Sequence, residues 1–182
     1  KGTNILANRK AGEKIELLGP LGNGFQVCGG KRIGVVGGGM GIAPLLAVAK
    51  EIVNKGKEVV SFLGAKTGDH LLAVKQFEDI GPVYLTTEDG SIGERALVVK
   101  PLVEYLDDGQ IDLILACGPN PMLKSLADIA NSYGIPTKLS LEQRMGCGIG
   151  ACLGCAIAIK AKTPEGYTYK RVCTDGPISW AH

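Results

Sequence analysis

Residues 31–54 read KRIGVVGGGMGIAPLLAVAKEIVN, and the change of pattern inside them decides the fold. Ile33, Val35 and Val36 form a short apolar run of the kind a buried strand needs. It leads straight into Gly37-Gly38-Gly39-Met40-Gly41-Ile42-Ala43-Pro44 and then into an apolar-periodic helix that ends near Asn54. Pro44 suits the first turn of that helix, where a missing N–H costs nothing. Strand, glycine turn and helix N-terminus in this order make a pyrophosphate site, because glycines let the backbone approach and unpaired N–H groups face the charge. The match to G-x-G-x-x-G is imperfect, since Ile42 holds the third glycine position counted from Gly37, and a simple tight turn is the competing reading.

Downstream the alternation repeats. Strands are expected at 59–63, 83–86, 113–116 and 137–141, and helices at 69–77, 94–106 with an interruption near Pro101, and 121–133. With 33–36 these give an α/β fold: a five-stranded parallel Rossmann-like nucleotide-binding domain over residues 30–141, its crossovers right-handed. Ligands bind at the carboxyl ends of such strands. Residues 37–41, 64–67, 87–90 and 117–120 all fall there, so the candidate cofactor contacts are Gly37, Gly38, Gly39, Met40, Gly41, Cys117, Gly118 and Pro119. No residue is singled out as certainly catalytic. Cys117 either faces a nicotinamide or is a small buried hydrophobe. Lys66 either approaches a nucleotide or is solvated, and Glu88 and Asp89 either bond ribose hydroxyls or build a turn with Gly90.

Past the sheet, residues 145–155 read MGCGIGACLGC, and Cys173 follows after a basic and aromatic segment. Four residues separate Cys147 from Cys152 and two separate Cys152 from Cys155, the plant-type spacing for a [2Fe-2S] cluster. Gly146, Gly148, Gly150 and Gly154 let the backbone curl around a small anionic core. Four cysteines can also hold zinc, but such sites come as two short knuckles, whereas here three thiols share one loop. Disulfides are the other reading. With Cys28 and Cys117 in unrelated contexts and no signal peptide at the start, a reduced, cytoplasmic setting is expected. Residues 142–182 thus form a cluster module. Its hairpin, 156–160 with 167–172, turns at Pro164-Glu165-Gly166, and it is too small to own a core, so the cluster must hold it.

Residues 1–29 are expected to hold a short helix or turn, a turn at Ala11-Gly12-Glu13 and an alternating strand at 14–18. One strand cannot be a domain. The stretch is therefore a loose arm or the remnant of an upstream barrel, and the start at Lys1 suggests a fragment. Gly2 and Thr3 would sit at a helix start, where free N–H groups meet a phosphate. The 20 basic and 18 acidic residues form no long run of either sign, which gives no nucleic-acid face, and no apolar run is long enough for a membrane span.

The order of motifs resembles the electron-transfer subunit of NAD-dependent type B dihydroorotate dehydrogenase, within the ferredoxin-NADP reductase-like superfamily. The resemblance is carried by Gly19-Pro20-Leu21-Gly22-Asn23-Gly24-Phe25, by Gly37 to Pro44, by Cys117-Gly118-Pro119-Asn120-Pro121-Met122, by the run from Glu142 to Cys155, and by Val172-Cys173-Thr174-Asp175-Gly176-Pro177. It implies that residues 1–29 are the remnant of an FAD-binding barrel, with Gly2 and Thr3 as the last FAD contact. It implies Cys147, Cys152, Cys155 and Cys173 as cluster ligands. The cofactors are then a [2Fe-2S] cluster, FAD in the intact protein, and NAD as acceptor. The implied partner is an FMN-containing catalytic subunit in a hetero-oligomer of pyrimidine biosynthesis, whose electrons pass through the cluster to FAD and on to NAD+. A fragment without the barrel should be inactive alone. Rival readings are a reductase subunit of a hydrogenase or glutamate synthase-linked complex, and a zinc-stabilised nucleotide-binding regulator.

Overall fold

The computed structural model describes residues 2–181. The chain opens with α1 (Gly2–Ala7) and an extended arm, then enters β1 (Arg32–Gly38), a 3-10 turn over Gly39–Gly41, and α2 (Ile42–Asn54). Next come β2 (Glu58–Ala65), α3 (Val74–Glu78), β3 (Val83–Thr87), β4 (Glu94–Arg95), α4 (Val99–Asp108), β5 (Leu113–Cys117), α5 (Asn120–Ser132) and β6 (Thr137–Ser140). The tail supplies β7 (Ala156–Lys160), β8 (Tyr167–Arg171) and β9 (Ile178–Trp180).

The main sheet runs β4-β3-β2-β1-β5-β6-β9. Every pairing in it is parallel except β6 with β9. β1 is central and buried from Ile33 to Gly38, which explains its unbroken apolar run. On one face Val36, Phe62, Leu102 and Leu126 pack with α4 and α5. There Tyr84 stacks on Phe62 at 5.1 Å and Tyr105 meets both rings edge-on. On the other face Ile33, Val35, Leu45, Ile52 and Phe77 pack with α2 and α3. After β4 the chain returns to the far side of β1 to lay down β5, so the strand order reverses between β1 and β5. That switch point opens a crevice at the carboxyl edge, where the 37–41 and 117–119 loops meet.

Several expectations need correction. The sheet has seven strands rather than five, because β4 and β9 are only two and three residues long and carry no periodic signal. Residues 94–95 pair with Thr86 and Thr87 instead of starting a helix, and Pro101 lies in the first turn of α4, where it interrupts nothing. The helix expected at 69–77 is a 3-10 turn at Gly68–His70 followed by the short α3, which starts after Ala73 at φ +55°. The strand expected at 14–18 does not form: among the described residues nothing pairs with it, and Leu17 is 88% exposed. An alternating stretch becomes a strand only when a neighbour takes its hydrogen bonds. Residues 2–29 therefore show no barrel strand.

The arm is nonetheless tied down. Asn23 donates its backbone N–H to the Gly176 carbonyl at 2.6 Å and its side-chain amide to the Thr174 carbonyl at 3.2 Å. Lys138 Nζ, buried on β6, donates to the Gln26 carbonyl at 3.0 Å and lies over the Trp180 ring. Trp180 thus closes the sheet edge, and Cys28 stands in the arm at 3.6 Å from the same ammonium.

Candidate functional site

The loop after β1 divides its glycines between packing and access. A Cβ on Gly41 would stand 2.3 Å from the Cys117 carbonyl oxygen, and one on Gly38 would stand 2.5 Å from Met122 Sδ. Gly41 lets the start of α2 meet the end of β5, and Gly38 lets the end of β1 meet the first turn of α5. Gly39, at φ +53°, differs: a Cβ there meets nothing within 4 Å, so its backbone faces open space. No side chain caps the start of α2, and the Ile42 N–H turns back to the Gly39 and Met40 carbonyls of the preceding 3-10 turn. Gly38, Gly39 and Met40 line one side of a cleft of about 440 Å³, and Gly64, Thr86 and Glu88 line the other. The size and the mostly apolar wall suit a nucleotide.

Of the second loop, Pro119 lines this cleft and Cys117 does not. Cys117 is buried, and burial pushes its thiol pKa up. It lies instead on an adjoining open depression together with Pro44, Ser140, Glu142, Arg144 and Met145. It is thus a small buried side chain of the core that borders this depression. Gly118 is a packing residue, with Met122 Cε 2.5 Å from a built Cβ. Gly2 and Thr3 stand in the first turn of α1, exposed, in a helix with no buried residue.

The depression runs from the end of β5 along residues 140–145, and the cysteine loop begins just beyond it in the chain. Left-handed residues Gly148, Gly150 and Leu153 coil that loop, at φ +73°, +80° and +58°. Its thiols stand as two pairs. Cys147 Sγ accepts the Cys152 N–H at 3.4 Å, and Cys155 Sγ accepts the Cys173 N–H at 3.4 Å. The Cys152 and Ile149 N–H groups pull the Cys147 thiol down to about 6. The Cys173 N–H lowers Cys155, whereas the neighbouring Cys155 sulfur raises Cys173. None of the six cysteines forms a disulfide. Among the described residues no three His, Cys, Asp or Glu side chains gather around one metal-ion position. The inward-donating N–H groups and the paired sulfurs fit an extended anionic core such as a two-iron cluster.

Residues to which the sequence reading gave no role of their own hold this loop in place. Arg171 and Asp175 form an ion pair in which Asp175 Oδ2 also accepts the Arg171 N–H at 2.9 Å, and Arg171 reaches the Gly150 carbonyl at 3.4 Å. Leu21, from the arm, would touch a Cβ on Gly148 at 3.1 Å. In sequence, Asp175 stands inside the Val172–Pro177 motif without a role of its own, and Arg171 is marked only by its four-residue spacing from it.

Residues 142–182 match the family described as the iron-sulfur cluster binding domain of dihydroorotate dehydrogenase B, and residues 35–128 match the oxidoreductase NAD-binding domain. Over 181 residues the chain is 46% identical to the dihydroorotate dehydrogenase B (NAD(+)) electron transfer subunit of Caldanaerobacter subterraneus subsp. tengcongensis, covering 100% of this chain and 70% of that one. The protein of the same description from a Geobacillus species is 42% identical, over 97% of this chain and 67% of that one. Among solved structures, NADH-dependent reduced ferredoxin-NADP oxidoreductase superposes with a TM-score of 0.86 at 31% identity, covering 100% of this chain and 64% of that one. The C-terminal domain of a Pyrococcus furiosus hydrogenase, at 20% identity and a TM-score of 0.57, shares the fold alone.

Proposed function

This chain belongs to the family of dihydroorotate dehydrogenase B (NAD(+)) electron transfer subunits, and we propose that it links a [2Fe-2S] cluster at Cys147, Cys152, Cys155 and Cys173 to a nicotinamide nucleotide in the cleft beside Gly39. The observation that supports this reading is the depression at the carboxyl edge of the sheet, lined by Cys117, Ser140, Glu142 and Met145, whose rim ends two residues before Cys147. The family match and the paired thiols favour iron-sulfur over the zinc reading.

When bound, the cluster supplies one-electron steps and FAD exchanges them for the hydride that NAD+ takes. The residues of this chain prepare for that chemistry. Cys147, with its thiol pKa near 6, gives up its proton cheaply at neutral pH, and the Cys152 and Cys173 N–H groups stabilise sulfur charge. Cys147 with Cys152, and Cys155 with Cys173, would each hold one iron. Gly39 and the uncapped start of α2 would take the pyrophosphate. Cys117, kept protonated by burial, would form an uncharged wall next to the nicotinamide. Gly2 and Thr3 are the chain's FAD candidates, but an exposed six-residue helix offers no pocket, so no step is derived through them.

The donor is a separate FMN-bearing subunit that oxidises dihydroorotate, and the setting is the cytoplasm, where free thiols persist. Among the described residues no helix is long and apolar enough to cross a membrane. The chain spans about two thirds of its relatives' length, so the test uses the full-length protein. Mixed with the FMN subunit, it should support dihydroorotate-dependent reduction of NAD+. If it stays indifferent to that subunit, the donor belongs to another complex of the superfamily.

A further inference from the structure

The four proposed ligands come from two pieces of chain, and one side chain joins them. Cys173 stands in the middle of a turn from Arg171 to Asp175, closed by the Asp175 N–H on the Arg171 carbonyl at 2.8 Å and the Arg171 N–H on Asp175 Oδ2 at 2.9 Å. The Arg171 side chain clasps the same turn, with Nε 3.3 Å from Asp175 Oδ2 and Nη2 3.4 Å from Oδ1. Its remaining nitrogen, Nη1, leaves the turn and donates to the Gly150 carbonyl at 3.4 Å, in the coil between Cys147 and Cys152. Gly150 permits that approach: at φ +80°, a Cβ there would stand 3.1 Å from Nη1 and 3.0 Å from Thr174 Cγ2.

The consequence of this pair lies in where it puts charge. Its side chains are 42% and 33% exposed, and ion pairs of that kind add at most about 1 kcal/mol to stability. The guanidinium is nevertheless held beside the sulfurs, and the groups that stabilise its charge are Asp175 first and then Cys173 and Cys155. Each electron the cluster accepts reduces one iron, oxidises its donor by one electron, breaks no bond and adds one negative charge behind the thiolates. A fixed cation there favours the reduced form, and a fixed anion disfavours it.

We propose that Arg171 is a positioning residue of the electron-transfer step: it docks the coil of Cys147 and Cys152 on the turn of Cys173, and its charge raises the cluster's reduction potential. Asp175 holds the guanidinium in place and opposes its charge. This rests on the cluster reading above.

The test is redox titration of the full-length protein, purified without oxygen, with the reduced cluster followed by electron paramagnetic resonance. Arg171→Gln should lower the midpoint potential, so that the reduced-to-oxidised ratio at a fixed potential falls about three- to tenfold, the upper figure being about 59 mV for one electron. Asp175→Asn, which keeps an acceptor for the Arg171 N–H, should raise it. Both shifts should shrink at high salt, because charges this exposed are screened. Arg171→Lys should bring the potential back near the parent's yet release iron to a chelator several times faster, since an ammonium keeps the charge without the fork that reaches both Asp175 and Gly150. Lys162→Gln removes an equal charge at the far end of the hairpin and should change neither reading. Where Arg171→Gln holds too little cluster to titrate, the rise in Asp175→Asn decides. Shifts of one sign in Arg171→Gln and Asp175→Asn, or no rise in Asp175→Asn, overturn the inference, because a pair that only fastens the loop does not distinguish the two charges. A parent that holds zinc and no sulfide overturns the cluster reading itself, and the inference with it.

Discussion

Between Ile33 and Gly38 every residue is buried, whereas none of residues 146–154 is. The first stretch is the centre of a sheet covered by apolar side chains on both faces; the second is a glycine-rich coil around four thiols. The tail's apolar cluster consists of Cys155, Val172 and Cys173, with Leu141 and Ile157 against it. Two of those three buried residues are proposed ligands. The sheet therefore holds its own shape, and the tail depends on what its cysteines bind and on the sheet edge that β9 joins. In functional terms, the nucleotide half is preformed and the cluster half is completed by its cofactor.

The largest effect should come from removing one proposed ligand. Cys152→Ser should lose the visible absorbance of the cluster and the amide exchange protection of β7 and β8, while the sheet stays folded. Collapse of both halves together would mean that the two regions are not independent. Phe62→Ala attacks the other side: it removes a fully buried ring stacked on Tyr84, and should cost about 3–5 kcal/mol in denaturant unfolding of the sheet. A loss below about 1 kcal/mol would show that the sheet is not held by this core.

Smaller changes sharpen the contrast. Gly39→Val places a side chain where the backbone faces open space at φ +53°, so folding should suffer by about 1–3 kcal/mol of strain. NADH affinity should fall at least tenfold, about 1.4 kcal/mol, with the cluster spectrum unchanged. Undiminished NADH binding would make the loop only a turn. Asp112 supplies the smallest test. Its carboxylate accepts the Lys31 and Arg32 N–H groups at 2.6 and 2.8 Å, which lowers its pKa in the folded state. A lowered folded pKa means stability that is present above the unfolded value and lost as pH falls through the folded one. Asp112→Asn should thus lower the melting temperature at pH 7 and lose its effect as the pH falls below the ordinary carboxylate range and through the lowered folded-state value. An effect equal at neutral and at acid pH would trace to packing instead.

What the sequence discloses follows the same division. β1 and the turn after it are legible because a strand buried on both faces must be apolar throughout, and a helix start placed against β5 must lack a Cβ at Gly41. The cysteine spacing is legible because ligands cannot be moved along the chain without losing convergence. β4 and β9 are not, since two or three residues join a sheet by register alone. Residues 14–18 mislead for the opposite reason: their alternation is real, but pairing is a property of a neighbour. Glu88 and Asp89 cannot be told apart in sequence, and only the bonds from Ser91 separate a loop builder from a residue that faces the cleft.

The most direct test of the central claim is metal and sulfide analysis of the chain purified without oxygen. About two irons and two acid-labile sulfides per chain, lost together in Cys152→Ser, are the predicted result. One zinc per chain with no sulfide would contradict it.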